Sequence, residues 1–375
     1  MRRRRAALLA VAGAALVAGA AIGAQGQDGR QPDLAPTPPA ASATALATPA
    51  AKPHTPSAIA RLGLARQVGE LVVLRFQGTT VPSYVRSILR RGEASGAILF
   101  RDNVDTSGQL RALTRTLHAA GRSTPIVCID QEGGAIRNVG WAPPVAAQAD
   151  QDPGADARAA GRALRGLGIN VALAPGADVP SVDGAALASR AFSRDPARVA
   201  RAVAAAVRGW RASGVAPTAK HFPGLGGATV NTDHGSATIG GGAPTRADLA
   251  PFRAAIAAGV PLVMSSHALY PALDRHRIAS QSPAILGGLL RARLHFRGVV
   301  MTDSMEAAAV RATGSLEQAA VRSVQAGADI VLTTGQGSWL RVYRALLAEA
   351  HRSPAFRARV RQSAARVLRL QATLK

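Results

Sequence analysis

The sequence predicts a single (β/α)₈ TIM barrel, and two observations support this prediction. From about Ala58 onward, eight short apolar segments alternate with stretches of helical character. The apolar segments lack a polar face, which is typical of parallel strands covered by helices. Eight such units over about 300 residues match the usual size of this barrel. A doubly wound open sheet is the alternative, but no GxGxxG motif follows the first predicted strand.

The predicted elements follow one another along the chain with short connections. The strands are Glu70–Phe76, Gly96–Arg101, Pro125–Asp130, Gly168–Ala174, Val215–Phe222, Pro261–His267, Gly298–Asp303 and Ala328–Thr334. The clearest helical stretches are Val81–Arg91, Ser107–Ala120, Asp195–Ala212 and Ser304–Ala326. In a barrel of parallel strands, the residues that follow the carboxyl ends of the strands meet at one rim, where such enzymes build their sites.

Two segments precede the barrel, and neither has the composition of a folded domain. A basic start, Arg2–Arg5, and the apolar run Ala6–Ala24 make residues 1–24 a predicted secretory signal peptide. Cleavage near Ala24 and retention as a membrane anchor are both compatible with this run. Residues 25–57 are rich in Pro, Ala and Thr and predict a disordered linker. We therefore expect an exported protein whose barrel domain comprises residues 58–375.

The charge balance is strongly basic, with 45 Lys and Arg against 22 Asp and Glu and a formal net charge of +23. Such a balance can indicate nucleic acid, an anionic membrane or an anionic wall polymer as a partner. The arginines are scattered along predicted helices without interleaved aromatic residues, so no nucleic-acid partner is expected. We likewise expect no membrane contact beyond the signal segment, and a monomer.

Metal and thiol chemistry have no support in the sequence. No HExxH or CxxC motif is present, so neither a metal site nor a cofactor is expected. The single cysteine, Cys128, lies in the apolar run PIVCID and is expected to be a small buried hydrophobic residue.

Polar residues follow several predicted strands at the point where each strand ends. Lys220 is one of only three lysines in the chain, and it precedes His221 and a glycine-rich loop. A compact ammonium at this position, where arginine is otherwise used, indicates a specific site. The other polar residues of the predicted rim are Asp130 after the third strand, Asp178 and Arg190 after the fourth, His267 after the sixth and Asp303 after the seventh.

Four motifs in this order resemble family 3 glycoside hydrolases, and most closely their single-domain β-N-acetylhexosaminidase branch. The motifs are IDQEGG with Arg137, KHFPG, SSHALYP and GVVMTDSM, and the resemblance covers residues 60–370. It implies a (β/α)₈ barrel that removes terminal β-linked sugars with retention. The branch commonly acts on N-acetylglucosamine in peptidoglycan fragments.

The resemblance also implies roles for individual residues. Asp303 is the expected nucleophile, although an N-cap for a helix beginning at SMEAAAV is an alternative role for this residue. Asp178 has either a structural or a sugar-binding role, and Glu132 and Arg137 are expected to shape one loop as an ion pair. The expected sugar-binding residues are Asp130, Arg190, Lys220, His221 and His267.

The loop after the fifth strand departs from the family pattern. The hexosaminidase branch carries Asp-x-His there, with the histidine as acid/base and the aspartate orienting it. The corresponding residues here are Asn231, Thr232 and Asp233, and His234 comes one position late. Three alternatives follow: Asp233 is the acid/base, His234 is, or the loop is not competent. The chain ends shortly after the eighth strand and its helices, so any proton donor is expected from the barrel's own loops.

The sequence therefore predicts an exported retaining glycoside hydrolase, which removes N-acetylglucosamine from cell-wall or peptidoglycan-derived oligosaccharides without a cofactor. One alternative is a catalytically weak carbohydrate-binding barrel at the cell wall. The other is a β-glucosidase-like member of the same family.

Overall fold

The computed structural model describes Ile59 and residues 61–374. The predicted signal peptide and linker lie outside these described residues. The chain divides into two compact units, Met1–Lys52 and Pro53–Lys375, and every described residue belongs to the second. None of the helices built from the described residues is long and apolar enough to cross a membrane.

Eight parallel strands form the centre of the fold. Each strand pairs with its sequence neighbour in parallel register, and the first strand also pairs with the last. A bridge between Met301 and Ile330 joins the seventh strand to the eighth, and so the barrel closes. The strands are β1 Val72–Arg75, β2 Gly96–Leu99, β3 Ile126–Ile129, β4 Val171–Ala172, β5 Ala216–Phe222, β6 Leu262–Ser265, β7 Val299–Thr302 and β8 Val331–Leu332. The barrel prediction is confirmed and the open doubly wound sheet is wrong.

Helices surround the barrel. They are α1 Leu64–Gly69, α2 Ser83–Arg91, α3 Ser107–Ala120, α4 Pro153–Gly166, α5 Pro196–Ala212, α6 Ala250–Ala257, a π-helix Ala284–Arg293, α7 Ala308–Arg311, α8 Leu316–Ala326, α9 Ser338–Arg352 and α10 Pro354–Thr373. Two short hairpins follow β3 and β6, formed by Gln131–Gly133 with Ile136–Arg137 and by Leu269–Tyr270 with Asp274–Ile278.

One predicted helix is interrupted. The stretch Ser304–Ala326 contains a loop and then two helices, α7 and α8. Gly314 between them has φ of +129°, a conformation that side-chain-bearing residues rarely adopt. Ser315 then starts α8 with a reciprocal capping box to Gln318. The Ser304–Ala307 segment is thereby outside the helices and forms part of the rim.

The core has two layers, one inside the barrel and one between the barrel and its helices. The interior is filled by apolar residues such as Val73, Val171 and Met301, and α10 contributes Val367 and Leu370 to the same cluster. Cys128 lies inside the barrel with no exposed surface, as the sequence predicted. Tight packing of the interior leaves the carboxyl-end rim as the place where a ligand cavity opens.

Candidate active site

A cavity of about 390 Å³ opens at the rim formed by the carboxyl ends of the strands. Every strand, or the segment that follows it, contributes to its walls, and most of the predicted site residues meet there. The polar side chains that line it are Arg75, Asp130, Arg190, Lys220, His221, Asn231, Thr232, Asp233, Asp303, Ser304, Glu306 and Thr334. This volume falls within the range of small-molecule sites.

Lys220, at the end of β5, is the centre of a buried cluster of charges. Its ammonium contacts the carboxylate of Asp130 and lies 2.7 Å from Oε1 of Glu132. Arg190 donates from Nε and Nη2 to the two oxygens of Glu132, at 2.9 and 2.5 Å. We call Asp130, Glu132, Arg190 and Lys220 the upper cluster. The prediction that Lys220, Asp130 and Arg190 share one site agrees with this geometry.

Glu132 has a different partner from the one the sequence predicted. The expected ion pair with Arg137 is replaced by contacts with Arg190 and Lys220. Burial opposes ionisation of Glu132, but the charges of Lys220 and Arg190 outweigh it and hold its pKa at about 2. Glu132 therefore stays ionised and fixes both cations, leaving the partly exposed Asp130 to face the cavity.

His221 connects the β4 and β5 loops to Asp303. Its Nδ1 donates to Oδ2 of Asp178 at 2.5 Å, and its Nε2 lies 4.0 Å from Oδ2 of Asp303. Asp178 also accepts a bond from the backbone N–H of Leu225 at 2.7 Å. His221 has φ of +142°, a strained conformation for a residue with a side chain. Asp178 thus holds the ring of His221 in place and directs Nε2 toward Asp303.

Asp303 follows β7 directly and lines the cavity. Burial opposes ionisation of its carboxyl group, but His221 and the N–H of Ser304 lower the net pKa below its ordinary value. The N-cap interpretation does not fit, because α7 begins only at Ala308 and has no side-chain cap. Asp303 is therefore an ionised carboxylate presented to a cavity.

The loop after β5 brings Asp233 to the same cavity. The carbonyls of Thr232 and Asp233 accept bonds from the N–H groups of Ala309 and Ala308, at 3.1 and 3.2 Å, and these bonds dock the loop on α7. Asn231 accepts a bond from the N–H of Asp233 at 3.0 Å and stabilises the turn. Partial burial and the nearby charge of Asp303 raise the pKa of Asp233.

The two acid/base candidates are placed differently. Both side chains are exposed to solvent, but Asp233 lines the cavity that Asp303 also lines, whereas His234 is absent from the residues that line it. Asn231 occupies the position of the family's orienting aspartate, but its side chain holds the turn instead. The structure therefore brings Asp233, and not His234, next to the predicted nucleophile.

His267 lies behind the cavity wall. It has no exposed surface, and its Nε2 donates to the carbonyl of Ser304 at 3.0 Å. Burial lowers the pKa of His267, so Nδ1 of the neutral ring accepts from the hydroxyl of Ser280 at 2.8 Å. With both nitrogens occupied by protein groups, His267 supports the segment after Asp303, and a direct contact with sugar stays a prediction.

The sequence analysis missed several cavity residues. Among them are Arg75, Phe100, Glu306 and Thr334, from the segments at the ends of β1, β2, β7 and β8. The strand-end rule that found Asp130 and Lys220 applies to them too, since a charged Arg75 closes the apolar run of β1. Within the described residues, no group of three or more His, Cys, Asp or Glu is arranged to hold a metal ion.

Several known proteins are similar to this chain in sequence and fold. The "Beta-hexosaminidase" of Stenotrophomonas maltophilia (strain K279a) is 34% identical over 279 residues, 70% of this chain and 82% of that protein. The "Uncharacterized secreted glycosyl hydrolase" of Arthroderma benhamiae is 32% identical over 306 residues, 74% of this chain and 84% of that protein.

The solved "glycoside hydrolase family 3 beta-N-acetylglucosaminidase from Paenibacillus sp. str. FPU-7" is 32% identical, with a TM-score of 0.78 over 84% of this chain. The chain spans 63% of the length of that structure.

The family match covers the whole barrel. The profile described as "Glycosyl hydrolase family 3 N terminal domain" matches residues 64–370, which include all eight strands and every polar residue that lines the cavity. The family and its hexosaminidase relatives establish a glycosidase whose substrate is a carbohydrate. The chain belongs to glycosyl hydrolase family 3.

Proposed function

We propose that the protein is an exported retaining glycosidase that removes terminal β-linked N-acetylglucosamine from cell-wall or peptidoglycan-derived saccharides. The names of the hexosaminidase relatives support the sugar. The signal-like composition of residues 1–24 and the secreted relative of Arthroderma benhamiae support export.

The observation that carries the proposal is the opposite pKa shift of two carboxyl groups in one cavity. The pKa of Asp303 is lowered and that of Asp233 is raised. When the pKa values of two neighbouring carboxyl groups are shifted in opposite directions, the group with the lower pKa can act as the ionised nucleophile and the other as the protonated acid. The charge of Asp303 itself contributes to the raised pKa of Asp233, so the division is a consequence of their proximity.

The proposed reaction has two steps. In the first, a carboxylate oxygen of Asp303 attacks the anomeric carbon as the glycosidic C–O bond breaks, and Asp233 gives its proton to the leaving oxygen. In the second, Asp233 takes a proton from water, which attacks the same carbon and releases Asp303. His221, 4.0 Å from Asp303, remains oriented by Asp178 throughout.

The upper cluster is the proposed binding site for the sugar that is released. Asp130 faces the cavity and accepts hydrogen bonds from sugar hydroxyls, while Lys220 donates to sugar oxygens. Asp130 and Glu132 together compensate the charges of Lys220 and Arg190, so a neutral sugar meets a site of little net charge. Fixing donors and acceptors before the substrate arrives reduces the entropic cost of binding.

The acid/base assignment is tested by comparing Asp233→Ala with His234→Ala. The substrates are an activated aryl β-N-acetylglucosaminide, whose leaving group needs no proton, and N,N′-diacetylchitobiose, whose leaving group does. We expect Asp233→Ala to lose on the order of 10²–10⁴-fold on the disaccharide. We expect a smaller loss on the aryl glycoside, and rescue of the second step by azide.

His234→Ala is the matched control, because it changes a neighbouring residue that does not line the cavity. Leaving-group bias and azide rescue in His234→Ala would move the acid/base role to that residue. Parental behaviour of both variants on both substrates would remove the loop from the mechanism. No hydrolysis of either substrate by the parent protein would contradict the proposed sugar specificity.

A further inference from the structure

The segment that follows Asp303 belongs to a network of hydrogen bonds that the proposed mechanism does not use. The network connects Ser304 and Glu306, in the loop between β7 and α7, with Thr334, in the segment after β8. All three residues lie in the wall of the cavity. Because β8 is the neighbour of β7 in the closed barrel, the network joins the carboxyl ends of two adjacent strands directly after the predicted nucleophile.

The two carboxylate oxygens of Asp303 have different surroundings. Oδ1 accepts a hydrogen bond from the backbone N–H of Ser304 at 2.8 Å. Oδ2 lies 4.0 Å from Nε2 of His221 and, within residues 61–374, accepts no hydrogen bond. Attack on the anomeric carbon requires a free oxygen that is correctly directed. Oδ2 is that oxygen, and the position of the Ser304 N–H helps to decide where it points.

Ser304 is held in place at its carbonyl and at its hydroxyl group. The carbonyl accepts a hydrogen bond from Nε2 of His267 at 3.0 Å. The hydroxyl oxygen lies 2.6 Å from Oγ1 of Thr334 and 3.2 Å from Oε2 of Glu306. The backbone of Ser304 therefore cannot shift, and carry its N–H away from Asp303, without losing contacts to the segments after β6 and β8.

Glu306 accepts the hydrogen bonds that fix Thr334. Its Oε2 lies 2.8 Å from the backbone nitrogen of Thr334 and 2.9 Å from the hydroxyl oxygen. An ionised carboxylate only accepts hydrogen bonds, so the Thr334 hydroxyl donates to Glu306 and is left to accept from the closer Ser304 hydroxyl. Hydrogen bonds to a charged acceptor are roughly twice as strong as those between neutral groups. Glu306 therefore orients the Thr334 hydroxyl, which in turn orients Ser304.

Neither carboxylate oxygen of Glu306 is available to a substrate. Oε2 is occupied by Thr334 and Ser304. Oε1 is buried and has no hydrogen-bond partner in the described part of the chain. A β-carbon added at Gly335 would approach Oε1 to 3.0 Å and Cγ to 2.9 Å, so this glycine leaves the space that the Glu306 side chain fills. Glu306 can therefore act on the reaction only through the residues it holds.

We propose that Glu306 and Thr334 are positioning residues for the nucleophile. They fix Ser304, whose N–H holds Oδ1 of Asp303 and leaves Oδ2 directed at the anomeric carbon. The proposal rests on the proposed function, because it takes Asp303 to be the nucleophile. The effect depends on the shape and acceptor oxygen of Glu306 and not on its charge. A displacement of the reacting atom by about 1 Å can cost on the order of 10²-fold in rate.

Three variants test the proposal with the aryl β-N-acetylglucosaminide as substrate. Glu306→Ala removes the acceptor, and we expect kcat to fall on the order of 10²-fold. Thr334→Val removes only the hydroxyl group, and we expect a fall of roughly tenfold. Glu306→Gln keeps an acceptor oxygen in a side chain of the same shape and should stay within about threefold of the parent. The inhibition constant of N-acetylglucosamine should be parental in all three, because the upper cluster is unchanged.

Thr333→Val is the matched control, since it makes the same substitution one position earlier. The Thr333 hydroxyl donates to the carbonyl of Val73 at 3.0 Å, and its side chain is buried and does not line the cavity. We expect this variant to lose stability but not kcat per active site. The fraction of protein labelled by a 2-fluoro glycoside counts the active sites, and kcat is divided by that fraction. A role in folding alone would lower the labelled fraction and leave the corrected kcat unchanged.

A parental corrected kcat in Thr334→Val would overturn the proposal, and this variant decides the question even if Glu306→Ala fails to fold. Equal losses in Glu306→Gln and Glu306→Ala, or in Thr333→Val and Thr334→Val, would overturn it as well. All of these results leave the proposed function intact, because the parent protein still cleaves the glycoside. Absence of cleavage by the parent, or labelling of a carboxylate other than Asp303, would contradict the proposed function and the positioning role together.

Discussion

Two buried clusters of charge lie at opposite ends of the barrel, and they differ in what surrounds them. The upper cluster joins Lys220 and Arg190 to Asp130 and Glu132 at the carboxyl ends of the strands. At the amino-terminal end, Asp329 precedes β8, has no exposed surface and contacts three arginines. Together with Asp329, the arginines Arg291, Arg359 and Arg366 form what we call the lower cluster.

In the lower cluster, the N–H groups of the arginines donate hydrogen bonds to other groups of the protein. Arg359 donates to the carbonyls of Val324, Gly327 and Ala328 as well as to Asp329. Asp329 also accepts from the N–H of Val300 and the hydroxyl of Ser363. The contacts tie the π-helix and α10 to β7 and β8, so the cluster holds the fold together.

In the upper cluster, one carboxylate faces a cavity and can accept hydrogen bonds from a ligand. Glu132 pairs with both cations and Asp130 pairs with Lys220, while Asp130 also faces the 390 Å³ cavity that Asp303 lines. The comparison shows how two buried ion clusters can differ in role. A cluster that adjoins a cavity indicates a functional site, whereas a cluster whose remaining donors bond to backbone carbonyls stabilises the fold.

The largest expected effect is the loss of hydrolysis when Asp303, at the carboxyl end of the barrel, is replaced. Asp303→Asn should fold like the parent but lose more than about 10⁴-fold in hydrolysis, beyond the range of a single lost proton transfer. Turnover of the aryl β-N-acetylglucosaminide measures the loss, and thermal unfolding checks the fold. In the parent protein, a 2-fluoro glycoside should label Asp303. Labelling of another carboxylate, or near-normal turnover of the variant, would refute the nucleophile assignment.

The next largest expected effect is a loss of stability when Asp329, in the lower cluster, is replaced. Asp329→Ala leaves three buried guanidinium groups facing one another, and we expect the free energy of unfolding to fall by about 3–5 kcal/mol. Urea unfolding at neutral pH measures it. Glu317→Ala, which breaks an exposed pair with Arg341, is the control and should change stability far less. A comparable loss in both variants would remove the distinction between the lower cluster and surface ion pairs.

The smallest expected effect concerns Glu70, a buried carboxyl group near the start of β1. Burial raises its pKa to about 7, which Gln371 and Arg66 only partly offset. The unfolded chain therefore releases this proton at lower pH than the folded chain does, so the contribution to stability is lost as pH rises from about 4.5 to about 7.

Glu70→Gln stays neutral and should exceed the parent in stability by roughly 2 kcal/mol at pH 8, with little difference at pH 4. Urea unfolding at the two pH values measures this. Glu93→Gln changes a partly exposed carboxylate that pairs with Arg91, and serves as the control. A pH-independent difference between Glu70→Gln and the parent would show that folding does not raise the pKa of Glu70.

The sequence by itself determined the barrel and the main members of the site. Eight apolar runs without a polar face require cover on both sides, and parallel strands place their carboxyl ends at one rim. Asp130, Lys220, His221 and Asp303 were therefore predictable from strand ends alone, because their position depends only on where each strand stops.

The tertiary structure decided everything that depends on contacts between distant loops. It paired Glu132 with Arg190 instead of Arg137, because the loop after β4 reaches Glu132 across the rim. It placed Asp233, and not His234, beside Asp303, because backbone bonds dock the β5 loop on α7. Both outcomes depend on which side chain points inward from an irregular loop, and no sequence period encodes that direction.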